Sequence, residues 1–118
     1  MEEKGNTIKK RKPMPKREIA MKTYKSRSGW MVAAADLDVL DMELFFNGTR
    51  VHINPRFYLE TKVSYGFLLK ALRNSVSANL FGKLAVKAGV ESGVIEEGNI
   101  IKIKNIPHAQ GVVMKVQG

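Results

Sequence analysis

The apolar positions of this chain first recur at strand spacing and then at helix spacing. Ala20 to Ser26 reads as a strand. Ser28-Gly29 is a turn signal, and Trp30 to Ala35 reads as a second strand. Asp36-Leu-Asp-Val-Leu-Asp41 is acidic, with apolar residues at Leu37 and Leu40, which fits a single helical turn or a loop. Met42 to Phe46 and Thr49 to Asn54 flank Asn47-Gly48. Both of those residues tolerate the positive φ of a type I′ turn, so the stretch predicts a hairpin. Pro55 has no N–H to donate and ends that ladder, and a short extended piece follows at Leu59 to Val63.

Helical spacing begins at Ser64, an N-cap candidate, with Phe67, Leu68, Ala71 and Leu72 on one stripe of a helix that runs to about Asn74. A second helix is predicted over Ala78 to Glu91, with Leu80, Phe81, Leu84, Ala85 and Ala88 on its apolar face. Its opposite face carries Lys83 and Lys87, and Gly93 is its stop. Ile100 to Lys104 alternates apolar and basic residues as a half-buried strand does, Ile106-Pro107 turns the chain, and Val112 to Val116 supplies a last strand. Strands, two helices and two more strands, with no βαβ repeat, predict an α+β two-layer sandwich with the helices on one face of a largely antiparallel sheet.

Length and charge sharpen this picture. The chain has 118 residues, enough for one compact domain. Its longest uninterrupted apolar run, Trp30 to Ala35, is far shorter than a membrane span. There is no cysteine, which removes disulfides, thiolate metal sites and a cysteine nucleophile. No apolar signal core follows the basic N-terminus, so a cytoplasmic location is expected. The formal net charge is +9, and about half of the excess lies before Ile19. Within Lys9, Lys10, Arg11, Lys12, Lys16 and Arg17 there is no acid, and Pro13 and Pro15 forbid a regular helix. Residues 1–18 therefore read as an extended basic arm and residues 19–118 as the α+β domain.

An anionic partner follows from that distribution. The leading expectation is structured RNA, with rRNA or a ribosomal subunit as the dense phosphate surface and neighbouring ribosomal proteins as further contacts. The arm cations would neutralise phosphate, and Arg50, Arg56, Lys83, Lys87, Lys102 and Lys104 are the domain's candidates for the same task. DNA ranks second because no recognition-helix module is discernible, and an acidic protein partner for the arm ranks third.

Support for catalysis is lacking. No phosphate-binding glycine loop and no nucleophile elbow occurs. His52 and His108 lack metal-ligand spacing, and Asp36, Asp38, Asp41 and Glu43 lack the cadence of a calcium loop. No enzyme activity, cofactor, metal, membrane or small-molecule substrate is expected.

Two places fit a purely structural reading poorly. Asn79 and Gly82 sit where the second helix should begin, a locally unfavourable pairing unless the backbone there approaches another closely. Pro107-His108-Ala109-Gln110 packs a proline, an imidazole and an amide into the predicted turn. The expectation is that this turn packs beside the helix start and that Asn79 shares hydrogen bonds with His108 or Gln110. The alternative is a small-ligand or catalytic site at that turn.

Asn79-x-x-Gly82, Gly93-x-Ile95, Asn99-Ile-Ile-Lys-Ile103 and Ile106-Pro-His-Ala-Gln110 occur in the order found in the C-terminal half of an archaeal family. Over about residues 20–117 the chain resembles that family, known only as domain of unknown function 424. The resemblance implies an archaeal origin, a small α+β two-layer fold and a link to translation, with no established activity. Lys83, Lys87 and neutral residues replace the family's usual acids near Gly82, and the basic arm has no counterpart in its pattern.

Overall fold

The computed structural model describes residues 14–113. β1 (Ile19–Ser26) and β2 (Gly29–Asp36) form an antiparallel hairpin paired along all eight positions. A single 3-10 turn at Leu37–Val39 leads into β3 (Glu43–Phe46) and β4 (Thr49–His52), which pair as a separate hairpin. Its turn residues Asn47 and Gly48 take φ of 52° and 78°, as the sequence pattern demands. Pro55 ends the hairpin and begins α1 (Pro55–Tyr58), a single turn whose N-cap, Asn54, accepts a hydrogen bond from the Arg56 N–H at 3.0 Å.

β5 (Thr61–Val63) pairs with β1, and α2 (Tyr65–Arg73) starts where Ser64 Oγ accepts from the Phe67 N–H at 3.2 Å. β6 (Ser77–Phe81), α3 (Lys83–Ser92), β7 (Ile101–Ile103) and β8 (Ile106–Val112) complete the order. The main sheet runs β5-β1-β2-β6-β8-β7. All its pairs are antiparallel except β2 with β6. The fold is α+β.

One sheet face packs Ile19, Met21, Val32, Ala34, Leu80 and Ala109 against Leu68 and Leu72 of α2 and Ala85, Val86 and Ala88 of α3. The other face carries a layer beyond the expected two. Ala33, Ala35, Phe81 and Ile103 pack there under Val39, Leu44, Ile53 and Tyr58, contributed by the β3–β4 region and α1. Ala33, Ala34 and Ala35 are fully buried. Their small side chains let both flanking layers come close to β2.

Two sequence expectations require correction. Ser77–Phe81 is a strand rather than the first turns of a helix, and α3 begins only at Lys83. Leu80 and Phe81 stand four residues before Leu84 and Ala85, so the apolar spacing of α3 runs on into β6, whose five residues are too few for their own Ser77/Asn79 alternation to outweigh it. Leu80 and Phe81 accordingly lie within the sheet, while Leu84 of α3 is half-buried against it. The Pro107–Gln110 segment is also strand. The chain turns instead at Lys104 and Asn105, with φ of 50° and 68°. Pro107 is tolerated because the β6–β8 ladder ends there: its carbonyl accepts from the Gly82 N–H at 2.8 Å, one position beyond the Phe81–His108 pair. Residues 114–116 of the expected last strand lie outside the described residues.

Candidate functional site

Charge is the first guide. Lys9, Lys10, Arg11 and Lys12 lie outside the described residues, while Lys16 and Arg17 are exposed in a stretch without regular structure that leads into β1. On the domain, Arg50, Arg56, Lys83, Lys87, Lys102 and Lys104 are all exposed. Three of them converge. Lys83 and Lys87, one helical turn apart on α3, and Lys102 on β7 flank a groove of about 430 Å³ that also meets Val86, Val90, Ile100 and Pro107. Glu91 and Glu97 lie on the same groove. Glu91 accepts a hydrogen bond from the Tyr65 hydroxyl at 2.5 Å, and the Lys87 ammonium stands 5.6 Å from that ring.

The other candidates are scattered. Arg50 lies 3.6 Å from Glu43 on the β3–β4 hairpin, and the Arg56 carbonyl accepts from Lys22 Nζ at 3.0 Å. Lys104 is in the β7–β8 turn. A basic–aromatic cluster at the β1–β2 tip escaped the sequence reading. Lys25 stands 5.4 Å from the ring of Trp30, which is 45% exposed, and Arg27 is in the turn between them. The cross-strand pairing of Lys25 with Trp30 was implicit once the Ser28-Gly29 turn fixed the register.

Asn79, His108 and Gln110 lie on the sheet face opposite α2 and α3. β6 and β8 place Asn79 opposite Gln110 and Phe81 opposite His108, and β7 places Ile101 opposite His108 on its other side. The imidazole stacks on Phe81 with ring centroids 3.9 Å apart, and its Nδ1 is 2.9 Å from the Leu80 carbonyl oxygen. A carbonyl only accepts, so Nδ1 carries the proton. Burial holds the His108 pKa below the usual histidine value, against the Leu80 hydrogen bond, which favours the charged form. In the neutral ring, Nε2 is then an acceptor, with no partner among the described residues.

The expected bond from Asn79 to His108 or Gln110 does not form. Asn79 Oδ1 accepts instead from the Tyr58 hydroxyl at 2.6 Å. Tyr58 is buried, and that burial, with a smaller contribution from Tyr24, raises its pKa above the usual phenol range. His108 and Gln110, freed of that role, line an open cavity of about 330 Å³ with Asn99 and Ile101.

Gly82 permits close approach, as expected, but of a different group. At φ +106°, a Cβ there would run into the Asp36 carboxyl. Asp36 reaches from the end of β2 to the first turn of α3, where its two oxygens accept from Leu84 N at 2.9 Å and Ala85 N at 2.8 Å. This capping by a residue distant in sequence satisfies amides that Gly82, the local N-cap, leaves open. Burial raises the Asp36 pKa in spite of both amide bonds. Asp41 pairs with His52 at 2.7 Å and Glu43 lies by Arg50, so the early acids are dispersed. Among the described residues no group of three His, Cys, Asp or Glu side chains is arranged to hold a metal, and no helix is long and apolar enough to cross a membrane.

A mixed sheet carrying helices on one face and a hairpin layer on the other, with a lysine-flanked groove and an open cavity at its β7–β8 end, defines a small α+β protein. The chain belongs to the family described as "Protein of unknown function (DUF424)", whose model matches residues 24–114. It is similar to the crystal structure of an uncharacterized conserved protein from Methanopyrus kandleri, with a TM-score of 0.68 and 22% identity over 85% of this chain and 98% of that one. Comparison with the curated proteins gives no match.

Proposed function

We propose that the protein binds structured RNA, as a ribosome-associated or ribosomal protein of the cytoplasm. The observation that carries this reading is the convergence of Lys83, Lys87 and Lys102 on one groove. Three cations brought together from a helix and an edge strand can each displace condensed counterions from a phosphate backbone, which favours association entropically. The N-terminal arm extends the same chemistry: six cations within Lys9 to Arg17 can neutralise phosphates without reading sequence. Lys25, Arg27 and Trp30 offer a third contact in which an exposed indole can stack on an unpaired base.

A specific observation favours one other reading. The Nε2 acceptor of His108 beside Gln110 and Asn99 at an open cavity is the arrangement a small-ligand or catalytic site would use. Co-sedimentation separates the two. The native protein is expected to travel with a ribosomal subunit from its own cells at low salt and to be released as salt rises. A protein that stays at the top of the gradient at every salt concentration contradicts the RNA reading and leaves the small-ligand one.

A further inference from the structure

The β7–β8 edge of the sheet has two chemically different sides. Lys102 and Pro107, cross-strand partners, meet the groove beside α3 that Lys83 and Lys87 also flank and on which Glu91 and Glu97 lie. Ile101 and His108, also cross-strand partners, line the cavity together with Asn99 and Gln110. Side chains alternate between faces along a strand, so neighbours in sequence are committed to opposite sides.

The cavity side is built for a flat, polar-edged ligand. Phe81 stacks on His108 from the β6 side and the Leu80 carbonyl accepts a hydrogen bond from its Nδ1–H, so the ring's position and tautomer are both fixed. Nε2 presents one fixed lone pair. Asn99 and Gln110 are exposed, and each carries an amide with both donors and an acceptor. Ile101, 42% exposed, supplies an apolar wall. Asn79, paired with Gln110 across the ladder, is held by Tyr58 through its oxygen and stands outside the cavity lining. The volume of about 330 Å³ is at the small end of ligand pockets. Among the described residues no charged side chain lines the cavity, so these residues offer a phosphate or carboxylate no cation within it. A neutral planar ring with N–H and acceptor groups along one edge finds a partner for each.

We infer that this cavity takes an unpaired nucleobase of the RNA whose phosphates lie along the lysine groove, the base donating an N–H to His108 Nε2 and meeting the Gln110 and Asn99 amides along the adjoining edge. The inference rests on the RNA reading and adds to it. The groove lysines hold backbone of any sequence, while the cavity distinguishes a nucleotide with a base from one without. Single-stranded segments offer such edges because their bases can be splayed out of the stack.

The test uses the full-length protein and labelled RNA decamers of each single base, with an abasic decamer of equal charge, followed by fluorescence anisotropy over a range of salt. At least one base-bearing decamer is expected to bind about tenfold or more tightly than the abasic one. Gln110→Ala and Asn99→Ala, both at exposed positions, should shrink that ratio to within about threefold and leave the salt slope unchanged. In the ¹⁵N-labelled protein the His108 Nε2 resonance should move with the preferred decamer and stay in place with the abasic one. Equal, salt-dependent binding of based and abasic decamers overturns the base pocket and leaves the RNA reading standing. Unaltered preference in both amide variants, or an Nε2 resonance indifferent to the preferred decamer, overturns it as well. Failure of every decamer to bind overturns it too, and co-sedimentation then decides the RNA reading separately.

Discussion

Asp36 and Gly82 form a joint in which each residue requires the other. The carboxylate can reach the first turn of α3 only because nothing occupies the Cβ position of Gly82. Asp36→Ala should cost about 1–3 kcal/mol, the cost of leaving two helix-end amides unpaired, whereas exposed Asp38→Ala should stay within about 0.5 kcal/mol. Thermal melts compare the two. The Tyr58–Asn79 bond makes a second prediction: Tyr58→Phe and Asn79→Ala should each destabilise by about 1 kcal/mol or more, and their double-mutant cycle should show coupling, since both remove one hydrogen bond. An Asn79 bonded to His108 or Gln110 would couple with those residues instead. His108 gives a pH signature. Its folded-state pKa is lowered, so as pH falls below the ordinary histidine value of about 6.5 the unfolded chain takes up the proton first. Stability from this source is full above that pH and declines as pH falls toward the folded-state pKa. The melting temperature of the wild type should therefore drop more between pH 7.5 and 5 than that of His108→Gln.

The elements differ in how plainly the sequence announces them. The β1–β2 pair, the Asn47-Gly48 hairpin and the Ser64-capped α2 were legible because each carries its own turn or cap chemistry within a few residues. β6 was not, because its Leu80 and Phe81 fall in helical register with Leu84, Ala85 and Ala88 of α3, and that longer pattern hides the short Ser77/Asn79 alternation of the strand. The Asn79-x-x-Gly82 pairing, unfavourable inside a helix, was the available signal: β6 ends at Phe81 and Gly82 caps α3, so neither residue lies within a helix. The Lys104–Asn105 turn was hidden for a related reason, since Pro107 is the stronger turn signal in isolation and only the end of the β6 ladder makes it acceptable in a strand. Of the candidate site, the lysines of α3 were legible as an exposed pair, but Lys102 joins them only through the sheet. The Lys83→Glu, Lys87→Glu double variant should keep its melting temperature within a few degrees, because exposed charges contribute little to folding. A large loss of stability would mean that these side chains are packed rather than free for a partner.

At the scale of the whole molecule, the cations lie outside both cores. Both cores lie against the main sheet, while Lys16, Arg17, Lys83, Lys87 and Lys102 are exposed. Removal of residues 1–18 should therefore leave cooperative unfolding intact and weaken RNA binding, with the difference shrinking as salt rises. The most direct measurement of the central claim is the slope of log affinity against log salt for a structured ribosomal RNA fragment, compared between the wild type and Lys83→Ala, Lys87→Ala, Lys102→Ala. If the groove lysines meet phosphate, the triple variant should bind more weakly at low salt and its slope should be shallower by about two to three. A triple variant with the slope and affinity of the wild type, or a wild type with no salt-dependent affinity for RNA, would contradict the account.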